Sequence, residues 1–292
     1  WAAYVAGVVW ALVDAGHDVP PADIAVESDI LSGAGLSSSA ALECAVLSAL
    51  CDLGDLDVPW TERPALARRA ENAYVGVPCG IMDQTAAMLS RAGHALFLDC
   101  RNFAIEHVPF DLRAAGLELL VVDSHARHRH VENEYTDRQR ACQDAARLLG
   151  VPALRDVEDL DAALSTLTDP VLRRRVRHVV TENARVLAAV ADLRDGRLRD
   201  IGPLLTDSHA SMRDDYEITV PEVDLVVEVA LANGGYGARM TGGGFGGCVL
   251  ALVDAGTSDD VAAAVCDAFA GRGYAAPSSF VAYPSGGASR VA

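Results

Sequence analysis

The chain has 292 residues, of which 51% are hydrophobic and 22% charged, a composition typical of a globular protein long enough for two packed domains. Its net charge of −17 argues against nucleic acid or an anionic membrane surface as a partner, and no apolar run reaches the roughly 18–20 residues of a membrane span. All 24 basic residues are arginine, so the chain has no lysine for a Walker A loop, a protein kinase strand or a pyridoxal Schiff base.

The first predicted element is a helix over residues 1–13, whose apolar side chains recur at helical spacing. No capping residue precedes this helix and the first residue is Trp1, so we expect further sequence before it in the parent protein. Residues 24–30 alternate in the manner of a strand. A loop rich in glycine and serine follows at 32–39 and leads into a helix that ends near Gly54.

The rest of the chain mixes helices and strands. A helix is predicted from Thr61, as N-cap, to about Val75. The later helices are predicted at 132–149, within 170–212, at 221–232 and at 258–270, and the strands at 95–99, 117–123, 238–241, 248–253 and 279–283. Because these elements show no regular βαβ repeat, the sequence predicts an α+β fold rather than a doubly wound sheet.

The loop before the second helix carries the first chemical signal. Glycines at 33 and 35 let successive N–H groups face one point, and the helix N-terminus adds positive potential there. The serines at 37–39 supply further donors, and one hydroxyl can bind magnesium. This pattern favours an anion-binding loop over a hydrolase nucleophile, because the second glycine of a G-x-S-x-G elbow is missing.

Two carboxylates form the second signal, in the segment 69–84. Glu71 lies near the end of a predicted helix, and Asp83 follows a Pro/Gly turn in apolar surroundings. Held in this way, one carboxylate suits a metal ion and the other suits a general base. The residues alone equally allow a second interpretation, in which Glu71 lies on a helix surface and Asp83 is the N-cap of the next helix.

Three other patterns in the sequence give weaker evidence of function. The seven cysteines form no C-x-x-C pair, and we interpret all of them as buried thiols in a reducing compartment, typical of a cytoplasmic protein. His125, His128 and His130 could suggest zinc, but no cysteine accompanies them and arginines lie between them. The glycines at 242–247 lie between strand-like runs instead of opening a helix, which argues against a dinucleotide fingerprint.

Four stretches, in this order along the chain, resemble the GHMP family of small-molecule kinases and, within it, the galactokinases. Residues 33–41 are similar to the family's phosphate loop, 76–84 to its catalytic segment and 241–248 to its third motif. Residues 208–217, followed by Pro221-Glu222, are similar to galactokinases in particular.

The resemblance implies a fold. We expect an α+β, two-domain GHMP kinase fold with the active site in the cleft between the domains. The N-terminal GHMP kinase domain would cover residues 1–115, with the phosphate loop and the catalytic aspartate. The C-terminal GHMP kinase domain would cover 116–292, as a ferredoxin-like α+β unit with the glycine-rich third motif.

The resemblance also implies roles for single residues. Asp83 takes the position of the catalytic base, which also contacts the sugar, and Gly80 and Tyr135 take the positions of sugar-contacting residues. Ser39 and Glu71 take the positions of magnesium ligands. The ATP-binding residues would be Gly33, Ala34, Gly35, Leu36, Ser37, Ser38 and Ser39. The sequence does not identify the purine pocket.

One family motif does not occur in the chain. Galactokinases carry an Arg-x-Asn-x-x-Gly-Glu-His-x-Asp pattern upstream of the helix with which this chain begins. It supplies an arginine near the transferred phosphate and several sugar ligands. From the resemblance we therefore expect an active parent protein, whereas a chain without this motif would bind sugar poorly and turn over slowly or not at all.

The predicted function is galactose phosphorylation by a cytoplasmic monomer. The γ-phosphate of ATP would go to the anomeric hydroxyl, giving galactose 1-phosphate and ADP, with Mg²⁺ as cofactor. One alternative is a kinase for N-acetylgalactosamine or another hexose, since the main sugar determinants lie in the missing motif. The other is a galactokinase-like sensor that binds sugar and ATP without turnover, against which the intact loop and Asp83 argue.

Overall fold

The computed structural model describes residues 1–30, 35–127 and 131–291, and its helices and strands fall into two units. Unit 1 comprises Trp1–Asp111 with Pro284–Ala292, and unit 2 comprises Leu112–Tyr283. The boundary expected from the sequence, between residues 115 and 116, lies a few residues later along the chain. In the part of the chain that the structure describes, no helix is both long and apolar enough to cross a membrane.

Unit 1 is built mainly from helices. Its elements are α1 (Ala2–Asp14), α2 (Ser38–Gly54), α3 (Arg63–Arg69), a π-helix (Ala70–Val75), α4 (Met82–Leu89), β1 (His94–Asp99) and β2 (Ala104–Pro109). The apolar faces of α1 and α2 meet in a core that contains Val8, Leu12, Leu47 and Leu50. Because this core fixes α2, it also fixes the direction of the α2 N-terminus, which follows the glycine-serine loop.

The predicted strand at 24–30 is wrong, because these residues form neither a strand nor a helix. Their apolar side chains remain exposed, at 39% for Ile24, 44% for Val26 and 42% for Ile30. An alternating segment becomes a strand only where another strand pairs with its backbone groups. Among the described residues of unit 1, the strands β1 and β2 pair with each other, antiparallel, and neither pairs with this segment.

The last residues of the chain lie on unit 1, although the expected C-terminal domain included them. The N–H groups of Gly287 and Ala288 donate to the carbonyls of Ser90 (2.9 Å) and Ala87 (2.8 Å). A Cβ on Gly287 would lie 2.4 Å from the carbonyl oxygen of Met88, so this close approach needs glycine. These backbone contacts with the end of α4 assign the terminal segment to unit 1.

Unit 2 combines a mixed set of helices with one antiparallel sheet. Its elements are β3 (Leu117–Arg127), α5 (Val131–Leu149), α6 (Leu160–Thr166), α7 (Pro170–Arg194), α8 (Ile201–Ser211), a second π-helix (Met212–Tyr216), α9 (Pro221–Ala232), β4 (Gly237–Met240), β5 (Gly246–Asp254), α10 (Ser258–Arg272) and β6 (Ser278–Ala282). The strand order is β4–β5–β3–β6. Helices α9 and α10 cover this sheet through a core that contains Val223, Val226, Val265 and Phe269. The expected α+β class is confirmed.

Several predicted elements of unit 2 are confirmed closely. Helix α9 has the predicted bounds, because Pro221 occupies its first turn and Asn233 follows its last residue. The predicted pair of strands around the glycines at 242–247 is the β4–β5 hairpin. Two of these glycines are required by packing, since a Cβ on Gly244 would lie 2.8 Å from the Cβ of Ile218 and one on Gly246 would lie 2.2 Å from the carbonyl oxygen of Ala126.

Candidate active site

The N-terminus of α2 has the features of an anion-binding site. Ser37 is the N-cap and has a left-handed backbone (φ 54°), no side chain caps the helix, and its first turn contains no acidic residue. The first N–H groups of a helix need acceptors from outside it, and the helix dipole favours a negative one. Of the predicted phosphate loop, Gly35, Leu36, Ser37, Ser38 and Ser39 lie at this end of α2. Gly33 and Ala34 lie outside the described residues.

Glu71 lies in the first π-helix and is only 4% exposed. The interpretation as a helix-surface glutamate is therefore wrong. Its Oε2 accepts hydrogen bonds from the Nε2 of Gln84 (2.7 Å) and from the thiol of Cys79 (3.3 Å). π-Helices are rare and occur frequently at functional sites. A buried carboxylate that is oriented by two donors is suited to bind a cation.

A second buried carboxyl group lies beside this one. Glu43, in α2, is fully buried, and its Oε2 lies 3.5 Å from the Nε2 of Gln84. Burial, together with the negative charge of Glu71, raises the pKa of Glu43 to about 8. Burial and the same charge raise the pKa of the Cys79 thiol to about 12, so this sulfur remains a protonated donor near neutral pH.

Asp83 lies in the first turn of α4, where the N-terminal end of the helix dipole stabilises a negative charge. The N-cap of α4 is Ile81 and no side chain caps this helix, so the interpretation of Asp83 as the cap is wrong. The side chain is partly buried, and among the described residues nothing donates a hydrogen bond to its carboxylate. A carboxylate in this setting is available to an incoming hydroxyl group.

The turn between Glu71 and Asp83 is held from the π-helix. The Oδ1 of Asn72 accepts from the backbone N–H of Cys79 (2.7 Å), and its Nδ2 donates to the backbone carbonyl of Cys79 (3.2 Å). Gly80, the next residue, is exposed and does not have a positive φ, and a Cβ added to it would meet nothing within 4 Å. The fold of unit 1 therefore gives no steric reason for glycine at this position.

A cavity of about 340 Å³ adjoins the N-terminus of α2. It is lined by the side chains of α1, of residues 26–30 and of α2, namely Trp1, Tyr4, Val26, Ser28, Ile30, Ser38, Ser39 and Leu42. Its size and its mixture of aromatic, aliphatic and hydroxyl groups are those of a small-molecule site. The sequence did not reveal this cavity, although Trp1 and Tyr4 recur at helical spacing and so share one face of α1.

In unit 2, Tyr135 lies near the start of α5 and is 40% exposed. Three residues later, Arg138 donates through Nε to the carbonyl of Tyr216 (2.8 Å) and through Nη2 to that of Glu217 (2.8 Å). The N–H of Phe245, in the glycine-rich hairpin, donates to the carbonyl of Ile218 (2.6 Å). The stretch at 208–217, together with Ile218 after it, thus connects the start of α5 with the β4–β5 hairpin.

The second π-helix, at the end of this stretch, is anchored by α7. The ring of His178 stacks on that of Tyr216 with centroids 4.3 Å apart, and its Nδ1 is hydrogen-bonded to the hydroxyl of Ser211 (2.9 Å). Arg175 contacts the carbonyl of Asp215 and pairs with Glu217 (2.7 Å). Burial lowers the pKa of His178 to about 4, so this ring is neutral near pH 7.

The histidine group between β3 and α5 is described only in part, since His128 and His130 lie outside the described residues. Both ring nitrogens of His125 are within hydrogen-bond distance of neighbours, the carbonyl of Ala276 (2.8 Å) and the hydroxyl of Ser278 (3.0 Å). In the described part of the chain, no three His, Cys, Asp or Glu side chains converge on a point that could hold a metal ion.

Two family models match the chain. Residues 3–91 match the GHMP kinases N terminal domain, and residues 189–271 match the GHMP kinases C terminal domain. The first match covers α1, the phosphate loop, Glu71 and Asp83, and the second covers the stretch at 208–217 and the glycine-rich hairpin.

Relatives of known name agree with these matches. The chain is 54% identical to the galactokinase of Streptomyces coelicolor, over 100% of its own length and 76% of that protein. It is 48% identical to the galactokinase of Mycobacterium bovis, over 99% of its own length and 80% of that protein. The crystal structure of Lactococcus lactis galactokinase complexed with galactose matches it with a TM-score of 0.91 at 34% identity, over 100% of this chain and 76% of that one.

Proposed function

Because this chain belongs to the GHMP kinase family and, within it, to the galactokinases, we propose that it transfers the γ-phosphate of ATP to the anomeric hydroxyl of galactose. The products are galactose 1-phosphate and ADP. One observation in unit 1 carries this proposal beyond the resemblance. Gln84 joins the three elements that carry the site. These are α2 with its uncapped N-terminus, the π-helix with the buried carboxylate of Glu71, and α4 with the carboxylate of Asp83.

Asp83 acts on the sugar hydroxyl. A carboxylate that no described residue neutralises can accept the hydroxyl proton or orient it as the oxygen attacks phosphorus. This carboxylate lies in a partly buried position in the first turn of α4. Phosphoryl transfer requires little covalent chemistry from the protein, so orientation of the attacking hydroxyl is a large part of what Asp83 contributes.

Magnesium fits the donors in unit 1. Glu71 offers a carboxylate and Ser39 a hydroxyl, both hard oxygen ligands, and Mg²⁺ usually combines one or two carboxylates with substrate phosphates and water. When bound, the ion would neutralise charge on the transferred phosphate. The loop residues Gly33 to Ser39 would surround the phosphates with backbone N–H groups and hydroxyls, and the α2 dipole adds to their attraction.

The cavity beside Ser38 and Ser39 is our candidate for the purine. It continues from the proposed phosphate site, and the rings of Trp1 and Tyr4 offer surfaces on which a base can lie. For the sugar, we propose close contact with the backbone of Gly80. Neither the backbone conformation of this residue nor its neighbours require glycine, so the reason for glycine would be the approach of the sugar. Tyr135 is our candidate for a sugar contact from unit 2, since it is exposed and near the start of α5.

We further propose a cytoplasmic, monomeric protein. All seven cysteines carry free thiols, which is typical of a reducing compartment. The expectation that all of them are buried is wrong, because Cys100 and Cys266 are exposed. The monomeric state is tested directly by light scattering during gel filtration.

A sugar panel tests the substrate. The protein is expressed from its complete natural reading frame, and ADP release is measured at fixed MgATP with galactose, N-acetylgalactosamine, glucose and mannose. We expect the highest kcat/KM for galactose. A higher kcat/KM for N-acetylgalactosamine would show that this sugar, rather than galactose, is the substrate. Binding of galactose and ATP in calorimetry without ADP above background would favour the sensor.

A further inference from the structure

The amide of Gln84 lies between the two buried carboxyl groups of unit 1. The side chain is 1% exposed, and its Nε2 is 2.7 Å from Glu71 Oε2 and 3.5 Å from Glu43 Oε2. A buried amide that donates to a carboxylate makes one of the stronger hydrogen bonds in a protein interior. Gln84 is thus the group that holds the Glu71 carboxylate most directly.

Two of the donors around Glu71 reach the same side of it. Gln84 Nε2 and Cys79 Sγ meet the same oxygen, Oε2, so neither competes for Oε1. With Oε2 fixed, the plane and the direction of the carboxylate are fixed as well. This is the arrangement in which a neighbouring hydrogen bond orients a metal ligand and leaves its other oxygen to the cation.

Gln84 also connects Glu71 with the proposed base. It directly follows Asp83 in the first turn of α4, and its backbone carbonyl accepts from the thiol of Cys44 in α2 (3.6 Å). A displacement of this turn would therefore move the carboxylate of Asp83 and the support of Glu71 together.

We propose that Gln84 is a positioning residue, which orients Glu71 as a metal ligand and sets it relative to Asp83. This inference rests on the proposed function, in which Glu71 binds the magnesium of MgATP. Without the amide, the Glu71 carboxylate would keep the Cys79 thiol as a donor, but its connection through Gln84 to α4 and to Glu43 would be lost.

A purely structural role would have a different consequence. Removal of a buried amide lowers thermal stability in either case. Only a positioning role changes the affinity for the metal in the folded protein. The discriminating measurement is therefore metal binding, with Mn²⁺ as a paramagnetic substitute for Mg²⁺.

The test uses Gln84→Met, which keeps the length of the side chain and removes the donor. Free Mn²⁺ is measured by electron paramagnetic resonance in the presence of saturating ADP, with the protein from its complete reading frame. We expect the dissociation constant of Mn²⁺ to rise about 10–100-fold, the usual effect of losing a group that orients a metal ligand. The KM for galactose should change less than about threefold, because the sugar contacts remain.

Two further variants make the result specific. Thr85→Val removes a hydrogen bond of the next buried residue, whose hydroxyl donates to the carbonyl of Ile81 (2.7 Å) and does not contact Glu71. It should lower the melting temperature and leave Mn²⁺ affinity within about threefold of the parent. Glu71→Ala should weaken Mn²⁺ binding at least as much as Gln84→Met does.

The outcomes separate the two proposals. If Glu71→Ala weakens Mn²⁺ binding and Gln84→Met does not, the positioning role is overturned and the metal ligand stands. If Glu71→Ala binds Mn²⁺ as the parent does, the assignment of Glu71 itself fails, and the positioning role with it. If Gln84→Met does not fold, Gln84→Asn replaces it, since its amide is too short to reach Glu71, and unchanged Mn²⁺ affinity in that variant overturns the inference.

Discussion

The side-chain amide of Asn72 pairs with both backbone polar groups of Cys79, at 2.7 Å and 3.2 Å, and so fixes the turn before α4 to the π-helix that carries Glu71. The side chain of Asn72 thereby takes the place of backbone hydrogen-bond partners for the N–H and the carbonyl of Cys79. Because Gly80 is the next residue, its position follows from this pairing.

Asn72→Ala should therefore affect both stability and catalysis. It leaves the N–H and the carbonyl of Cys79 without their partner, at a cost of about 1–3 kcal/mol in the free energy of unfolding. We expect kcat/KM for galactose to fall about 10–100-fold as Gly80 loses its position. Asn102→Ala is the matched control, since it removes one exposed hydrogen bond, to the N–H of Ala104. Equal kinetics in the two variants would contradict the role of this turn.

The variant Asp83→Asn tests the assignment of Asp83 as the general base. The substitution keeps size and hydrogen-bonding capacity but removes the charge and the proton acceptor, so kcat should fall about 10²–10⁴-fold. Nucleotide affinity, measured by calorimetry, should change little, because the phosphates are recognised at the N-terminus of α2. Asp52→Asn, at an exposed position of α2, is the control for the loss of one negative charge. A kcat above about a tenth of the parental value would show that Asp83 is not the base.

Gly80→Ala tests close approach of the sugar. The added methyl group meets no protein atom within 4 Å, so the melting temperature should stay within a few degrees of the parent. If the sugar contacts this backbone, its KM should rise about tenfold or more, while the KM for ATP stays nearly constant. Gly271→Ala, in α10, also adds a methyl group without a neighbour and serves as the control. An unchanged sugar KM would remove Gly80 from the site.

Tyr4→Ala tests the purine cavity. Loss of one aromatic wall should raise the KM for ATP about tenfold and leave the KM for galactose nearly unchanged. Val13→Ala is the control on the same helix, because this side chain is exposed and does not line the cavity. If the KM for ATP is the same in both variants, the purine binds elsewhere.

The pKa of His178 predicts an acid-sensitive fold in unit 2. Its folded value of about 4 lies below the ordinary 6.5, chiefly through burial, so between these values the unfolded chain binds a proton that the folded chain does not. Stability should be fully present above about pH 6.5 and decline as the pH falls towards about 4. His178→Phe keeps a ring on Tyr216 and removes the proton, so its urea midpoint should fall less between pH 7.5 and 4.5. Parallel curves for parent and variant would contradict this prediction.

The sequence by itself determined the features that depend on local chemistry. Pro221 and the apolar periodicity after it define α9, and the strand-like runs on both sides of the glycines at 242–247 define the β4–β5 hairpin. The glycine-serine loop before α2 predicts an anion site for the same reason, because helix N-termini and glycine turns act through their own backbone groups. The family resemblance rests on such segments, and the comparisons confirm it.

Tertiary structure determined what depends on distant partners. Residues 24–30 have the alternation of a strand and no described strand pairs with them, whereas β2 has a weaker pattern and becomes a strand because β1 is its neighbour. Glu71 could have been a surface residue until the fold buried it, and Gln84 contacts Glu43 across 41 positions of the chain. No local pattern encodes such a pairing, because the free energy of a buried carboxylate depends on donors that only the packing of α2, the π-helix and α4 brings to it.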